Sequence, residues 1–298
     1  MDGDERTIAE LLRSEVVRER RGALRQRVRS AGICLQDILC CEDRRGFVGP
    51  GCADEYSVVL VRAGSFVQRI EGEELFLDPT GGYLLRPGDE LRVAHPSGPG
   101  DRSSELRLSE KAFADRFDGM AGVSRGFHVD GVTDLRHRAL LSAARRGAEP
   151  FELAERLHGL LDAVAASVDS RRTEERGPAR QATARVHAGL VRDVCAVLAT
   201  GPVALGLTLE ELAQVVGVSP HHLSRVFRAV TGRTLTRYRN ELRLRGVLHA
   251  IEGGVGAGGL RALAYEYGFA DQAHLTRMCR SHTGHVPSAV RRLLADRA

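Results

Sequence analysis

The 298-residue sequence predicts an α+β chain, with an N-terminal antiparallel β-barrel and flanking helices followed by an all-α region. Three observations carry this. Short apolar runs broken by turn residues fill the stretch from Asp37 to Ser109. Apolar residues recur at helical intervals from Asp130 onward. The last third holds one helical pattern twice.

From Glu5 to about Ser30, Ile8, Leu11, Leu12, Val16, Leu24 and Val28 form a thin apolar stripe among charges, which predicts a helix packed on a neighbour or a partner subunit. Strands are expected at Ser57–Arg62, Phe66–Ile70, Glu74–Leu77, Tyr83–Leu85, Glu90–His95 and Glu105–Leu108, punctuated by Ala63-Gly64, Glu71-Gly72, Gly81-Gly82 and Pro87-Gly88-Asp89. Many short strands at close spacing argue for a sandwich or barrel. Side chains alternate along a strand, so Leu91, Val93 and His95 share one face, expected to look inward. Helices return between Asp130 and Ser170, with Pro150 opening the second of them. Ser170 to Ala179 is charged and aperiodic and reads as a linker. The chain thus divides into residues 1–130, a helical region with linker over 131–180, and an all-α part over 181–298.

In the repeat, Leu212-Ala213-x3-Gly217, Leu223-x-Arg225, Arg228 and Thr231-Gly232 return as Leu263-Ala264-x3-Gly268, Leu275-x-Arg277, Arg280 and Thr283-Gly284. Each copy makes sense as a helix-turn-helix, over about 208–232 and 259–284. Thr208-x-x-Glu211 is a capping box. Gly217 and Gly268 suit the tight turn, Ser219-Pro220 and Asp271 start the second helices, and Gly232 ends the first of these. Leu223, Val226 and Phe227 pack in one copy, Leu275 and Met278 in the other. That leaves His221, His222, Ser224, Arg225 and Arg228, and Gln272, Ala273, Thr276, Arg277 and Arg280, facing outward. Arg can read guanine, Gln adenine, and Ser or Thr several base edges. Arg228, Arg233 and Arg280 are placed for phosphates, which position a protein without specifying sequence. The amphipathic stretch from Thr234 to Ile251 is a connector that would set the two reading helices apart, and if both enter successive major grooves on one face they must lie about 34 Å apart, one turn of DNA.

At these residues the chain resembles the AraC/XylS family of bacterial transcription regulators, over roughly Val186 to Leu293. The resemblance implies that His221, Ser224, Arg225, Gln272, Ala273, Thr276 and Arg277 occupy base-facing positions on double-stranded promoter DNA. Cys279 stands where that family usually packs an aromatic, and Gly246 where its connector commonly has Ala. Both departures suggest a looser second unit. In the N-terminal part, DEYSVVLVRAGSF, LDPTGGYLLRPGDE and HPSGPGD resemble the cupin-like sensor domains of such regulators. That resemblance implies a barrel binding a small-molecule effector, with Phe66, Tyr83, Leu91 and His95 as pocket candidates. It further implies helices used for homodimerisation, and RNA polymerase as a partner if the protein activates.

Cys40, Cys41, Cys52 and His95 are the candidate metal ligands or redox thiols, thiolate and imidazole suiting zinc or a softer ion. Cupin enzymes use a His-x-His pair that is missing here, so packing roles are expected, with no metal, no other cofactor and no catalysis. A cupin-type metal-dependent enzyme and a metal- or thiol-sensing regulator are the alternatives.

Charge supports the nucleic-acid reading. From Gln181 onward 15 Arg face 8 acidic residues, whereas the preceding stretch holds 28 basic and 31 acidic ones. A basic C-terminal part suits a polyanion. No run approaches the roughly 18 apolar residues of a membrane span, and the acidic start MDGDERTIAE lacks a secretory pattern. A cytoplasmic protein without membrane contact is expected, its six scattered cysteines reduced.

Overall fold

The computed structural model describes residues 16–19, 23–30, 32–41, 44–98, 100–117, 125–169, 178–254 and 259–294. The strands are β1 (Val16–Glu19), β2 (Ala23–Ser30), β3 (Ile33–Cys40), β4 (Val48–Cys52), β5 (Tyr56–Gly64), β6 (Phe66–Ile70), β7 (Glu73–Leu77), β8 (Gly81–Leu85), β9 (Glu90–Ala94), β10 (Asp101–Leu108) and β11 (Gly126–His128). Helix α1 (Glu110–Phe117) precedes β11, and α2 (Gly131–Arg145) and α3 (Pro150–Asp169) follow it. The C-terminal part comprises α4 (Pro178–Leu198), α5 (Leu209–Val215), α6 (Pro220–Thr231), α7 (Leu235–Glu252), α8 (Gly259–Glu266), α9 (Gln272–Thr283) and α10 (Pro287–Leu294).

The expected closed barrel is not formed. The strands make two open antiparallel sheets, one of seven strands in the order β1-β2-β3-β10-β5-β8-β11 and one of four in the order β4-β9-β6-β7. Among the described residues no ladder joins an edge of one sheet, β1 or β11, to an edge of the other, β4 or β7, so the strands stack as layers, with the β5 run Val58-Val59-Leu60-Val61 buried on both faces. Val59 and Val61 meet Phe66, Ile70, Leu77, Tyr83 and Leu85 between the sheets. Val58 and Leu60 instead meet Phe113, Phe117, Leu140, Leu157 and Leu161 on the helical side. Helices α1 to α3 therefore cover the outer face of the large sheet.

The N-terminal helix expected to about Ser30 is also corrected. Residues 1–15 lie outside the described residues, while Val16–Glu19 pairs with Ala23–Gln26 and Arg27–Ser30 pairs with Ile33–Gln36. Val16, Val17 and Val28 are β-branched, and sheet pairing overrides a thin helical stripe. Helices α2 and α3 appear where expected. Asp130 caps α2 by accepting from the Thr133 amide at 2.7 Å, and Pro150 opens α3. Most of the expected linker lies outside the described residues, and α4 already begins at Pro178.

Two further cores lie in the C-terminal part. Val194, Leu198, Leu212, Leu223, Phe227 and Tyr238 form one, with Phe76 of β7 packed against it. Leu244, Leu248, Leu263, Phe269, Leu275 and Val290 form the other, joined by Leu135 and Ala139 of α2. The connector α7 serves both cores. Among the described residues, no helix is long and apolar enough to cross a membrane.

Candidate nucleic-acid interface

Each hairpin is built by local chemistry. Thr208 Oγ1 accepts from the Glu211 amide at 3.1 Å, and Glu211 Oε2 accepts from the Thr208 amide at 2.7 Å, completing the capping box of α5. Those hydrogen bonds from Thr208 draw the Glu211 carboxyl below its usual range. The turns at Gly217 (φ 71°) and Gly268 (φ 75°) use the left-handed region that suits glycine. Ser219 and Asp271 then cap α6 and α9, accepting from the His222 and His274 amides at 3.3 and 2.6 Å. The repeated Thr-Gly has a structural role. The Thr231 and Thr283 hydroxyls both donate to the carbonyl four residues earlier at 2.7 Å, and each accepts from the amide two residues later.

Helices α6 and α9 bury Leu223, Val226 and Phe227, and Leu275, Cys279 and Thr283, against their hairpin partners. His221, Ser224, Arg225 and Arg228 are exposed on α6, as are Gln272, Ala273, Arg277 and Arg280 on α9. Thr276 is half-buried, its hydroxyl donating to the Gln272 carbonyl at 2.8 Å. His222, read as outward-facing, is half-buried with its ring edge-on to His187 at 5.9 Å. Arg233 is placed differently from Arg228 and Arg280. Its side chain is only 14% exposed and pairs with Glu241 of α7.

Both departures in the second unit lie at packed positions. Gly246 is where the Tyr267 ring lies against α7, and a Cβ there would stand 2.1 Å from Tyr267 Cε1. Cys279 is 1% exposed in the second core.

A set of residues that sequence reasoning missed joins the sheet part to α7. Tyr238 donates to Asp78, Glu241 pairs with His128 at 3.1 Å, Arg245 with Asp134 at 3.1 Å, and Glu252 with Arg62 at 2.9 Å and Arg138 at 2.7 Å. Arg245 also donates to the Val129 and Pro79 carbonyls at 2.7 and 3.0 Å. Tyr238, Glu241, Arg245 and Glu252 are spaced by three, four and seven residues, which sets them along one face of a helix. Polar residues at that spacing on a buried connector were the available signal.

Three of the pocket candidates come together in the core between the sheets. Phe66 lies 6.3 Å from Tyr83 and 5.9 Å from His95, ring to ring, and Leu91 packs at the margin of that cluster. A cavity of about 1000 Å³ lies elsewhere, between the β6–β7 turn and α4, with Arg69, Glu74, Arg185 and Arg192 in its wall. Of the metal candidates, Cys40 and His95 approach each other and Asp101 joins them, whereas Cys52 sits exposed on β4. Hydrogen bonding to Asp101, then to Cys40, holds the His95 imidazole up at about 9 against the effect of burial.

A helix-turn-helix domain family matches residues 212–293, from within α5 of the first hairpin through the whole of the second. No curated protein sequence matches the chain. Among solved structures the chain is similar to ToxT from Vibrio cholerae, at 10% identity over 88% of this chain and 99% of that one, with a TM-score of 0.32. It is also similar to unsaturated fatty acid bound ToxT from strain SCE256, at 11% identity over 95% and 99%, with a TM-score of 0.34. An RmlC-like cupin from Shewanella frigidimarina is similar at 15% identity over 37% of this chain and 96% of that one, with a TM-score of 0.27. The C-terminal region of this protein is a helix-turn-helix domain that carries two such units.

Proposed function

We propose that the chain is a transcription regulator of the AraC/XylS type, binding promoter DNA sequence-specifically through α6 and α9 and responding to a small effector. The observation that carries this is the paired construction of the two hairpins. Each has a glycine turn and a side-chain-capped second helix, and each exposes an arginine two residues after its buried leucine, Arg225 and Arg277. In this reading His221, Ser224 and Arg225 face bases in one major-groove segment, and Gln272, Ala273, Thr276 and Arg277 face those in the next. Arg228 and Arg280 meet phosphates. The protein acts as a homodimer in the cytoplasm, recruits RNA polymerase where it activates, and performs no catalysis.

Effector response needs a ligand that favours one arrangement of the two parts over another. The polar contacts of α7 with the sheet part are where such a preference would be felt.

Selection from random duplexes, followed by binding titrations in salt, tests the reading. A bipartite site with steep salt dependence is expected. Arg225→Ala and Arg277→Ala should each relax preference at one base and cost about 1–3 kcal/mol. Unchanged base preference in both variants would remove the assignment.

A further inference from the structure

We propose that Cys40, His95 and Asp101 form a binding site for a divalent transition ion of the Zn²⁺ class, with thiolate, imidazole and carboxylate as its protein ligands. Backbone register builds the juxtaposition. Cys40 and Asp101 are direct partners across the antiparallel β3–β10 pair, so their side chains leave the same face. His95 arrives from the other sheet, just past the end of β9, its amide donating to the Arg44 carbonyl at 2.9 Å.

One donor atom from each residue lies within 4.8 Å of the others, and His95 Nε2 is 3.0 Å from Asp101 Oδ1. Ligand atoms about 2.0–2.3 Å from a tetrahedral zinc lie roughly 3.3–3.8 Å from one another, so side-chain rotation alone would seat an ion. Support around the ligands is present. Ser103 Oγ donates to Asp101 Oδ2, leaving Oδ1 to face His95, and the Phe66 ring flanks the imidazole. The His95 and Asp101 side chains are 2% and 8% exposed, while Cys40 is half-buried and gives the ion its way in. His95 hydrogen-bonds both Asp101 and Cys40, and an ion seated among the three would displace those shared protons and bind all three groups to one centre. Three protein ligands leave a fourth position for water or a small ligand, as in reactive zinc centres and unlike closed structural ones. The site is remote in sequence from α6 and α9, so it stands or falls separately from the regulator reading.

The test uses the full chain, stripped with a chelator and titrated with Co²⁺ as a spectroscopic stand-in for Zn²⁺. A single Co²⁺ per chain should bind with a thiolate-to-cobalt charge-transfer band and intense tetrahedral d–d bands, all displaced by Zn²⁺. Cys40→Ser should abolish the charge-transfer band, Ser103→Ala should weaken binding about tenfold, and Cys52→Ser should change nothing. Substoichiometric binding to the wild-type chain, an octahedral spectrum without charge transfer, or a charge-transfer band that survives in Cys40→Ser would each overturn the site. The wild-type spectrum decides even if Cys40→Ser does not fold.

Discussion

Glu252 Oε1 accepts from Arg62 Nη1 at 2.9 Å, tying the last residue of α7 to an interior strand of the large sheet. Its second oxygen accepts from Arg138 at 2.7 Å, and Arg145 approaches at 3.4 Å. Burial alone would push this carboxyl up, but the charges of Arg138, Arg62 and Arg145 outweigh it and keep Glu252 ionised. Glu252→Gln leaves Arg62 with Asp37, and Arg138 with Asp134, as remaining partners. The loss should therefore fall near the low end for breaking a buried pair, about 3 kcal/mol. Urea unfolding at neutral pH measures it, and a loss below about 1 kcal/mol would mean that the pair behaves as a surface one.

Acid should destabilise the protein in two steps. Burial, then the charges of Arg62 and Arg138, push the His137 imidazole well below its usual value, so it is neutral when folded. An unfolded histidine titrates near 6.5, so the folded pKa is the lower one. The contribution of His137 is whole above roughly pH 6.5 and is lost as pH falls below it. Glu241 acts later. Burial raises its carboxyl, but the His128 hydrogen bond and the Arg233 charge prevail and hold it at about 2. Against an unfolded value of about 4.3, its contribution is whole above that pH and lost on the way down to about 2. His128, His249 and His282 are also lowered, so His137→Leu should flatten the upper step only in part, by up to about 1.4 kcal/mol per pH unit. Glu241→Gln should flatten the lower step and, by taking from His128 the carboxylate that favours its charged form, leave the upper step at least as large. Urea midpoints across the acid range separate the two.

What the sequence made legible was local. The Ser219 and Asp271 caps, the Gly217 and Gly268 turns and the buried Leu223 and Leu275 all lie within a few residues of the elements they define, and they appear where expected. Partnerships across long stretches were not legible. Arg62 and Glu252 are 190 residues apart, and neither shows in its own neighbourhood that the other neutralises it. Asp101 joined Cys40 and His95 only once the β3–β10 register was known. The barrel failed for the same reason, since alternation identifies a strand but not which strands its edges pair with. At Val16–Ser30 the two periods were both satisfied by a sparse pattern, and pairing with β3 decided between them.

Gly246 sets two effects of opposite sign against each other. Alanine at a helix interior normally stabilises by about 0.5–1 kcal/mol over glycine. Here the added methyl meets Tyr267 Cε1 at 2.1 Å and Cδ1 at 2.5 Å. Tyr267 is half-buried, so its ring can yield, but at the expense of its packing on α7. Overpacking of this kind costs about 1–3 kcal/mol, which exceeds the helix gain. Gly246→Ala should therefore destabilise by about 1 kcal/mol. In a Tyr267→Ala background the same change should stabilise by about 0.5–1 kcal/mol. A double-mutant cycle in urea reads this coupling, and additivity would deny it.

Arg228 and Arg233 lie close in sequence and should behave as different kinds of residue. Arg228 is exposed on the last turn of α6, as Arg280 is on α9. Each can meet a phosphate without giving up a partner in the fold. Arg233 is held by Glu241, and its guanidinium lies 5.3 Å from the centre of the Tyr238 ring. Releasing it to DNA would strip a buried carboxylate of a counter-charge. Arg228→Ala and Arg280→Ala should therefore each lower the salt dependence of duplex binding by about one, with stability changed by less than about 0.5 kcal/mol. Arg233→Ala should leave that slope alone and cost about 1.5–3 kcal/mol of stability, as expected for a hydrogen bond to a charged group. Binding titrations in salt and urea unfolding of the three variants test the contrast. A reduced slope in Arg233→Ala would show that the arginine leaves Glu241 when DNA is bound.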